Sequence, residues 1–254
     1  LFRIVIPVRY ASVRLPGKAL RPIAGKPMVQ WVYERARAAG AAEVLIATDD
    51  ARIAAAARAF GAPALMTDAS HASGTDRIAE VARTRGWPGS DIVVNLQGDE
   101  PLMPAALIGQ VAALLESDSS ADIATLAAPI ASVAELLDVN AVKVVADARG
   151  RALYFSRAPI PWNRGGASAG LTSQTDADGA QRHIGIYAYR VAALLKLAAL
   201  APSELEMREK LEQLRALENG LTVRVAAAVE PPGPDVNTLA DLERVAQLIT
   251  APAH

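Results

Sequence analysis

Short apolar runs and amphipathic stretches take turns through the first half of the chain, and that rhythm admits few architectures. The run at 3–8, with Ile4, Val5, Ile6 and Val8, is too short for a helix and rich in β-branched residues, so it reads as a buried strand. Further strands are expected at 43–48, 64–67 and 91–96, with helices at about 27–39, 51–60, 76–85 and 104–116. Strands that alternate with helices are joined by crossovers and pair in parallel, so the fold class is α/β. Pro27 and Gly40 punctuate the two ends of the first helix. Its Met28, Val29, Trp31, Val32 and Ala36 form a face suited to packing on a sheet.

The pattern changes after about Asp122. Strands expected at 122–128, 141–147, 151–156 and 183–189 follow one another with little helical pattern, around a polar, glycine-rich stretch at 163–181. Such a series favours antiparallel pairing and a smaller strand-rich subdomain at about 122–189, which could form a dimer surface or simply extend the sheet. The tail returns to a helix at about 203–219 closed by Gly220, a strand at 221–229, and a helix at 238–250 whose Thr238 and Asp241 have capping-box spacing. The 254 residues suffice to bury a large core, and one domain spanning 1–254 is expected.

Composition removes several classes of function. Lysine and arginine total 26 against 27 acids, a formal net charge of -1, so bulk charge gives no reason to expect a nucleic acid or an anionic membrane as partner. The chain has no cysteine, which excludes disulfides, thiolate zinc sites and thiol nucleophiles and fits a reducing cytosol. Any metal must be held by oxygen or imidazole. The apolar run at 191–201 is interrupted by Lys196, and the chain opens directly on a strand. Neither a membrane span nor a signal peptide is expected, and the expected location is cytoplasmic.

Four segments carry candidate chemistry. The first strand delivers Arg9, Arg14 and Leu15-Pro16-Gly17-Lys18 to its carboxyl end, where open α/β sheets bind ligands. A Gly-Lys pair alone is an ordinary turn, but three cations behind a buried strand point to the triphosphate of a nucleotide. Leu96-Gln97-Gly98-Asp99-Glu100-Pro101 ends a second buried strand and puts Asp99, beside a glycine, where it can hold magnesium on that triphosphate. Pro101 is expected to turn Glu100 elsewhere. At His71-Ala72-Ser73-Gly74-Thr75-Asp76-Arg77 two readings stand side by side: Ser73 or Thr75 caps a helix, or free amides and Arg77 receive an anion or a base edge. Finally, Arg182-His183-Ile184-Gly185-Ile186-Tyr187 precedes Glu206, Glu209, Glu212, Gln213 and Arg215 on one expected helix. Glu209, Glu212 and Gln213 would share its face. That group is a solvated stripe unless something ties it to the loops.

Taken together, these segments resemble the 3-deoxy-manno-octulosonate cytidylyltransferase (CMP-Kdo synthetase) family. The resemblance rests on 6–18, Ser73-Gly74-Thr75-Asp76-Arg77, Asn95–Pro101, Ala152–Trp162, Arg182–Tyr187 and Leu211-Glu212-Gln213-Leu214-Arg215, in the family's order over almost the whole chain. It implies a Rossmann-like nucleotidyltransferase sheet, a homodimer, and a Mg2+-dependent reaction of CTP with the acidic sugar Kdo giving CMP-Kdo and pyrophosphate for lipopolysaccharide assembly. By matching positions it implies that Arg9, Ser12, Arg14 and Lys18 handle the CTP phosphates. Ser73, Gly74, Thr75 and Gln97 would line the nucleotide or the reacting centre, and Asp99 would hold the metal. Arg157, His183, Tyr187, Glu212 and Gln213 would receive the sugar acid. One departure stands out: the family's second metal-binding aspartate aligns with Asn237, and Asp235 is a possible substitute. The competing readings are a cytidylyltransferase for another acid, such as 8-amino-Kdo, and a nucleotide-binding paralogue with impaired catalysis.

Overall fold

The computed structural model describes residues 1–11, 15–165, 170 and 174–251. The chain enters on β1 (Phe2–Val8), passes a 3-10 turn at Lys18–Leu20 and a small hairpin of β2 (Pro22–Ile23) and β3 (Lys26–Pro27), and continues into α1 (Met28–Ala38). Then come β4 (Glu43–Thr48), α2 (Ala51–Ala59), β5 (Ala64–Met66), α3 (Gly74–Thr84), β6 (Ile92–Asn95) and α4 (Ala105–Ser117). The middle holds β7 (Ile123–Pro129), α5 (Val133–Leu137), β8 (Lys143–Ala146), β9 (Ala152–Ser156) and β10 (Gln181–Arg190). The chain closes with α6 (Val191–Ala199), α7 (Glu204–Glu209), α8 (Gln213–Glu218), β11 (Val223–Ala227) and α9 (Leu239–Thr250).

The main sheet runs β11-β7-β10-β6-β1-β4-β5. β6, β1, β4 and β5 are parallel, as the alternating first half requires. β10 is antiparallel to both β6 and β7, and β11 returns parallel to β7. Antiparallel pairing in the 122–189 region is therefore present, but β7 and β10 are interior strands of the main sheet. Only the β8–β9 hairpin leaves it, attached where Gln181 and Arg182 of β10 pair with Val144 and Lys143. The reason lies in β7, where Ile123, Ala124, Thr125, Leu126 and Ala127 are all buried, so both faces need cover.

Period-two alternation distributes β1 between two cores. Ile4, Ile6 and Val8 face α1, α2 and α4, packing with Val32, Ile53 and Val111. Val5 faces the opposite layer, where Ile78 of α3, Leu194 of α6 and Leu214 of α8 gather. The parallel strands thus align with their carboxyl ends at one edge, where the loops carrying the motifs emerge.

Several expectations require correction. The helix at 203–219 is two helices, broken where Lys210 takes the left-handed conformation at φ 56°. Glu209, Glu212 and Gln213 consequently do not share one helical face. The apolar 191–201 run contains α6, and α5 and the β2–β3 hairpin arise where no element was assigned. The capping box at Thr238 and Asp241 is formed.

Candidate active site

The site begins where β1 ends. Arg9 emerges exposed, and the loop closes when the Gly17 amide donates to the Tyr10 carbonyl at 3.1 Å. Gly17 has φ +66°, and any Cβ there would meet the Tyr10 ring at 3.0 Å, so conformation and space both demand glycine. Lys18 follows, and its Nζ lies 2.6 Å from Asp99 Oδ2 and donates to the Val236 carbonyl at 3.0 Å. The Val236 amide in turn donates to the Asp99 carbonyl at 2.9 Å. Three segments remote in sequence, the loop after β1, the loop after β6 and the approach to α9, are thereby tied at one point. Gly98 lets the two strand loops touch, since a Cβ there would sit 2.8 Å from Val8 Cγ2 and 3.1 Å from the Pro7 carbonyl oxygen.

These loops enclose an outer cavity of about 430 Å³ lined by Arg9, Lys18, His71, Ser73, Gly74, Arg77, Gln97, Asp99 and Asn237, among others. Both readings of the Ser73 motif meet here. Ser73 Oγ accepts from the Asp76 amide at 3.2 Å and the Ser73 amide donates to Asp76 Oδ2 at 3.1 Å, a complete capping box, while Ser73 and Gly74 also line the cavity. Arg77 is only 3 % exposed, and its guanidinium is held by Asp49 at 2.9 Å and by Thr67. Its charge is thus engaged in anchoring α3. His71 is fixed by Glu80, which also accepts the Asp68 amide at 2.9 Å.

A second, inner cavity of about 120 Å³ adjoins the first at Gln97, which lines both. Its other walls include Thr75, Asn95, Tyr187, Tyr189, Glu212 and Gln213. Glu212 accepts from Thr75 Oγ1 at 3.0 Å and from Ser73 Oγ at 3.4 Å, the link that draws the late polar group to the loops. Arg215 lies 3.6 Å from Glu212 but is chiefly committed to Glu206, with contacts of 2.7 and 2.8 Å. Burial pushes the Glu212 carboxyl above its usual range despite the Thr75 bond and the Arg215 charge. Two polar atoms in this cavity, Asn95 Oδ1 and Tyr187 Oη, are buried without a hydrogen-bond partner among the described residues. Buried polar groups are normally paired, so an orphan acceptor and an orphan phenol in one small cavity suit a ligand bearing hydroxyls.

The acidic side of the outer cavity has its own logic. Glu100 lines neither cavity and places a carboxyl oxygen near the space over Gly185, in keeping with the expectation that Pro101 turns it elsewhere. Burial, with the Asp99 and Asp235 charges adding to it, pushes the Glu100 carboxyl up to about 8, and its Oε2 has no partner. Asn237 donates its side-chain amide to Asp235, and its backbone amide donates to Asp241 Oδ2 at 3.0 Å. Among the described residues no three histidines, aspartates or glutamates gather as a metal cage. The donor set nevertheless suits Mg2+: Asp99 already holds one cation, the Lys18 ammonium, and Asn237 offers an amide oxygen on the same cavity. Mg2+ takes few protein oxygens and completes its shell with water and phosphate.

Of the residues expected at the site, Arg9, Lys18, Ser73, Gly74, Gln97, Asp99 and Asn237 line the outer cavity, and Thr75, Gln97, Tyr187, Glu212 and Gln213 the inner one. Ser12 and Arg14 lie outside the described residues. Arg157 lines neither: its Nε donates to the Glu209 carbonyl at 2.7 Å and its Nη1 to the Val139 carbonyl at 2.8 Å. His183 lines neither as well. It stands behind the inner wall, with ring centroids 5.1 Å from Phe155 and 5.2 Å from Tyr187, and burial lowers its pKa to about 3. Asn95 and Tyr189 were missed from sequence, although a polar residue closing the apolar run Ile92–Asn95 is a usable signal.

Comparison with known proteins agrees with this geometry. A family profile described as "Cytidylyltransferase" matches residues 3–224. The chain is 54% identical over 250 residues to the 3-deoxy-manno-octulosonate cytidylyltransferase of Thioalkalivibrio sulfidiphilus, covering 98% of this chain and 99% of that protein. Identity to the protein of the same name from Cellvibrio japonicus is 56% over 250 residues, covering 98% of each. The solved structure of CMP:2-keto-3-deoxy-manno-octonic acid synthetase complexed with CTP matches at TM-score 0.87 and 43% identity, covering 98% of both chains. A cytidylyltransferase from Leptospira borgpetersenii, at TM-score 0.63 and 17% identity over 97% of this chain and 85% of its own, shares the fold. A mostly parallel sheet that carries a cationic strand loop against a carboxylate loop, on this fold, marks a nucleotidyltransferase. The chain belongs to the 3-deoxy-manno-octulosonate cytidylyltransferase family.

Proposed function

We propose that the chain couples CTP with 3-deoxy-manno-octulosonate to give CMP-Kdo and pyrophosphate for lipopolysaccharide assembly, with the nucleotide in the outer cavity and the sugar acid reaching the inner one. The observation that carries this reading is the shared wall at Gln97: on one side lie Arg9, Lys18 and Asp99, on the other the orphan polar groups of Asn95 and Tyr187 with Glu212. A charged, phosphate-suited compartment and a hydrogen-bonding one meet where two substrates would react.

In the reaction the anomeric hydroxyl oxygen bonds to the α-phosphorus, the bond from that phosphorus to the bridging oxygen breaks, the hydroxyl proton passes to water, and pyrophosphate leaves. No covalent enzyme intermediate is required, so positioning and charge stabilisation carry catalysis. Arg9 and Lys18 take phosphate oxygens, with Lys18 exchanging Asp99 for the nucleotide. The amides at the start of α3 add a favourable dipole for anionic oxygens. Asp99, with Asn237 or Asp235, would hold Mg2+, which when bound neutralises phosphate charge. Tyr187, Gln213 and Glu212 receive the sugar acid, and Asn95 supplies a further acceptor. The Arg215 charge, 3.6 Å from Glu212, offsets the repulsion of that carboxyl for an acidic substrate. His183, packed on Tyr187, supports that wall from behind.

Pyrophosphate release tests the reading, measured with CTP or ATP, with and without chelator, across Kdo, 8-amino-Kdo and other sugar acids. The expected result is turnover with CTP and Kdo that needs a divalent cation. Equal turnover with ATP, or full activity in excess chelator, overturns it; a preference for another acid, or binding of CTP without turnover, selects one of the alternatives. The same reading makes the chain a cytoplasmic homodimer. Its support is the absence of cysteine, the absence among the described residues of any helix long and apolar enough to cross a membrane, and the projecting β8–β9 region, where Val139 and Leu153 are each 62% exposed. Sedimentation at micromolar concentration should give a dimer, and a monomer alone would refute that assignment.

A further inference from the structure

β7 and β10 fall out of step at one place, directly behind the inner cavity. Ile184 pairs with Leu126, but the next pair is Tyr187 with Thr125, leaving Gly185 and Ile186 without partners on β7. A bulge of this kind bends a strand and re-aims its side chains. The Thr125 side chain fills it. Thr125 is fully buried, and its Oγ1 lies 2.8 Å from the Ile186 carbonyl oxygen, 3.1 Å from the Ile184 carbonyl oxygen and 3.0 Å from His183 Nε2.

A hydroxyl has one proton to give, and these contacts assign it. Carbonyls only accept, so the threonine proton goes to the nearer one, that of Ile186, and the His183 ring, with its proton on Nε2, donates to Thr125 Oγ1. One side chain thereby ties the Ile186 carbonyl inside the bulge to the ring that packs on Tyr187. Tyr187 follows the bulge immediately and lines the inner cavity, where its Oη has no partner.

We infer that Thr125 is a positioning residue: its hydroxyl fixes the β10 bulge and the His183 ring so that Tyr187 is aimed at the sugar acid. The inference rests on the reading that the inner cavity receives that substrate. A valine at 125 keeps nearly the same shape and deletes the hydroxyl, whereas serine keeps the hydroxyl and deletes the methyl.

The test is steady-state kinetics on the full chain with CTP and Kdo. Thr125→Val is expected to raise KM for Kdo about tenfold while KM for CTP stays within about twofold, and Thr125→Ser to restore both to near the native values. Tyr187→Phe separates the two levels of argument. If it leaves KM for Kdo unchanged, the assignment of the inner cavity falls; if it raises KM for Kdo and Thr125→Val does not, the role of Thr125 falls. Equal impairment by valine and serine, or parallel rises in both KM values, also overturns the role by showing that packing alone is at stake. Should Thr125→Val fail to fold, His183→Phe removes the ring donor and keeps an aromatic ring beside Phe155 and Tyr187; an unchanged KM for Kdo in that variant overturns the inference.

Discussion

The outer and inner cavities share one residue, Gln97, and are otherwise built in opposite ways. The outer one is assembled from strand-end loops whose charged groups stay within reach of water: Lys18 and Asp99 are 17% and 29% exposed and meet at 2.6 Å. The inner one is assembled from interior surfaces of β6, β10, α3 and α8, with Asn95 only 2% exposed and Tyr187 orphaned at its hydroxyl. The contrast teaches that the two compartments select ligands by different physics. Partly exposed charges suit a polyanion and a metal, where attraction is long-ranged and geometry forgiving. Buried neutral groups suit a hydroxylated acid, because leaving them unpaired is costly and only the right pattern of donors relieves it.

The comparison breaks most sharply at the outer cavity. Lys18→Ala and Asp99→Ala are each expected to cost roughly 2–4 kcal/mol of transition-state stabilisation, about thirtyfold to a thousandfold in turnover, as when one electrostatic donor is removed from a site. Stability should hardly change, because each partner can be solvated when the other is gone. Turnover within threefold of the native value in either variant, with thermal melting as the control for folding, would relocate the nucleotide site.

At the back of the inner wall the expected effect is on stability, and it depends on pH. Burial holds the His183 pKa at about 3 against about 6.5 in the unfolded chain. The sign follows: above pH 6.5 the ring is neutral in both states, and as pH falls from there toward 3 only the unfolded chain gains the proton, so stability is lost. Between pH 6.5 and 5 the loss from this group approaches about 2 kcal/mol. Urea unfolding of the native chain and of His183→Phe should give stability curves that draw together, or cross, as the pH is lowered through that window. A constant gap would mean that His183 takes its proton in the folded state.

How much of this was legible in the sequence follows the same division. The parallel half was read nearly to its boundaries because each strand is a short β-branched run set between amphipathic segments, and Glu43–Thr48 matches its expected range. Lys18 and Asp99, expected at strand ends because a motif after a strand declares its own position, line the outer cavity. The break at Lys210 was invisible, since no glycine or proline marks it. It arises because Glu209 is drawn to Ser156 Oγ at 2.6 Å and to the Arg157 amide at 3.0 Å, while Glu212 is drawn to Thr75 on another side. Asn95 and Thr125 were missed for a related reason. Thr125 in an apolar run is simply one more β-branched residue until the register with β10 brings two carbonyls and the His183 ring to its hydroxyl.

A smaller effect is expected at the cavity face of that wall. Tyr187→Phe removes a buried phenolic oxygen that has no partner in the free protein, so unfolding stability should hold or rise by about 1 kcal/mol while KM for Kdo increases about tenfold. Gain in one measurement and loss in the other is the signature of a group kept for a ligand. A loss of stability with unchanged KM would instead assign the hydroxyl a structural bond within the fold.

The smallest expected effect sharpens the boundary between the carboxylate loop and the approach to α9. Asn237 lines the outer cavity with a neutral amide and donates that amide to Asp235, so the native chain offers the metal one unit of charge less than an aspartate would. A unit pair about 4 Å apart is worth about 4 kcal/mol at an effective dielectric of 20, and desolvation offsets most of it. Asn237→Asp should therefore lower the Mg2+ concentration for half-maximal activity only several-fold, raise turnover, and tighten Mg2+ binding to the CTP complex by calorimetry. It should also lower melting temperature slightly without Mg2+, because a bond to Asp235 becomes a repulsion. Asp235→Ala should harm the native chain more than the Asn237→Asp variant, in which the new carboxylate takes over. If Asn237→Asp leaves calorimetry and the Mg2+ requirement untouched, and Asp235→Ala is harmless in both backgrounds, neither side chain approaches the metal and Asp99 is its sole carboxylate.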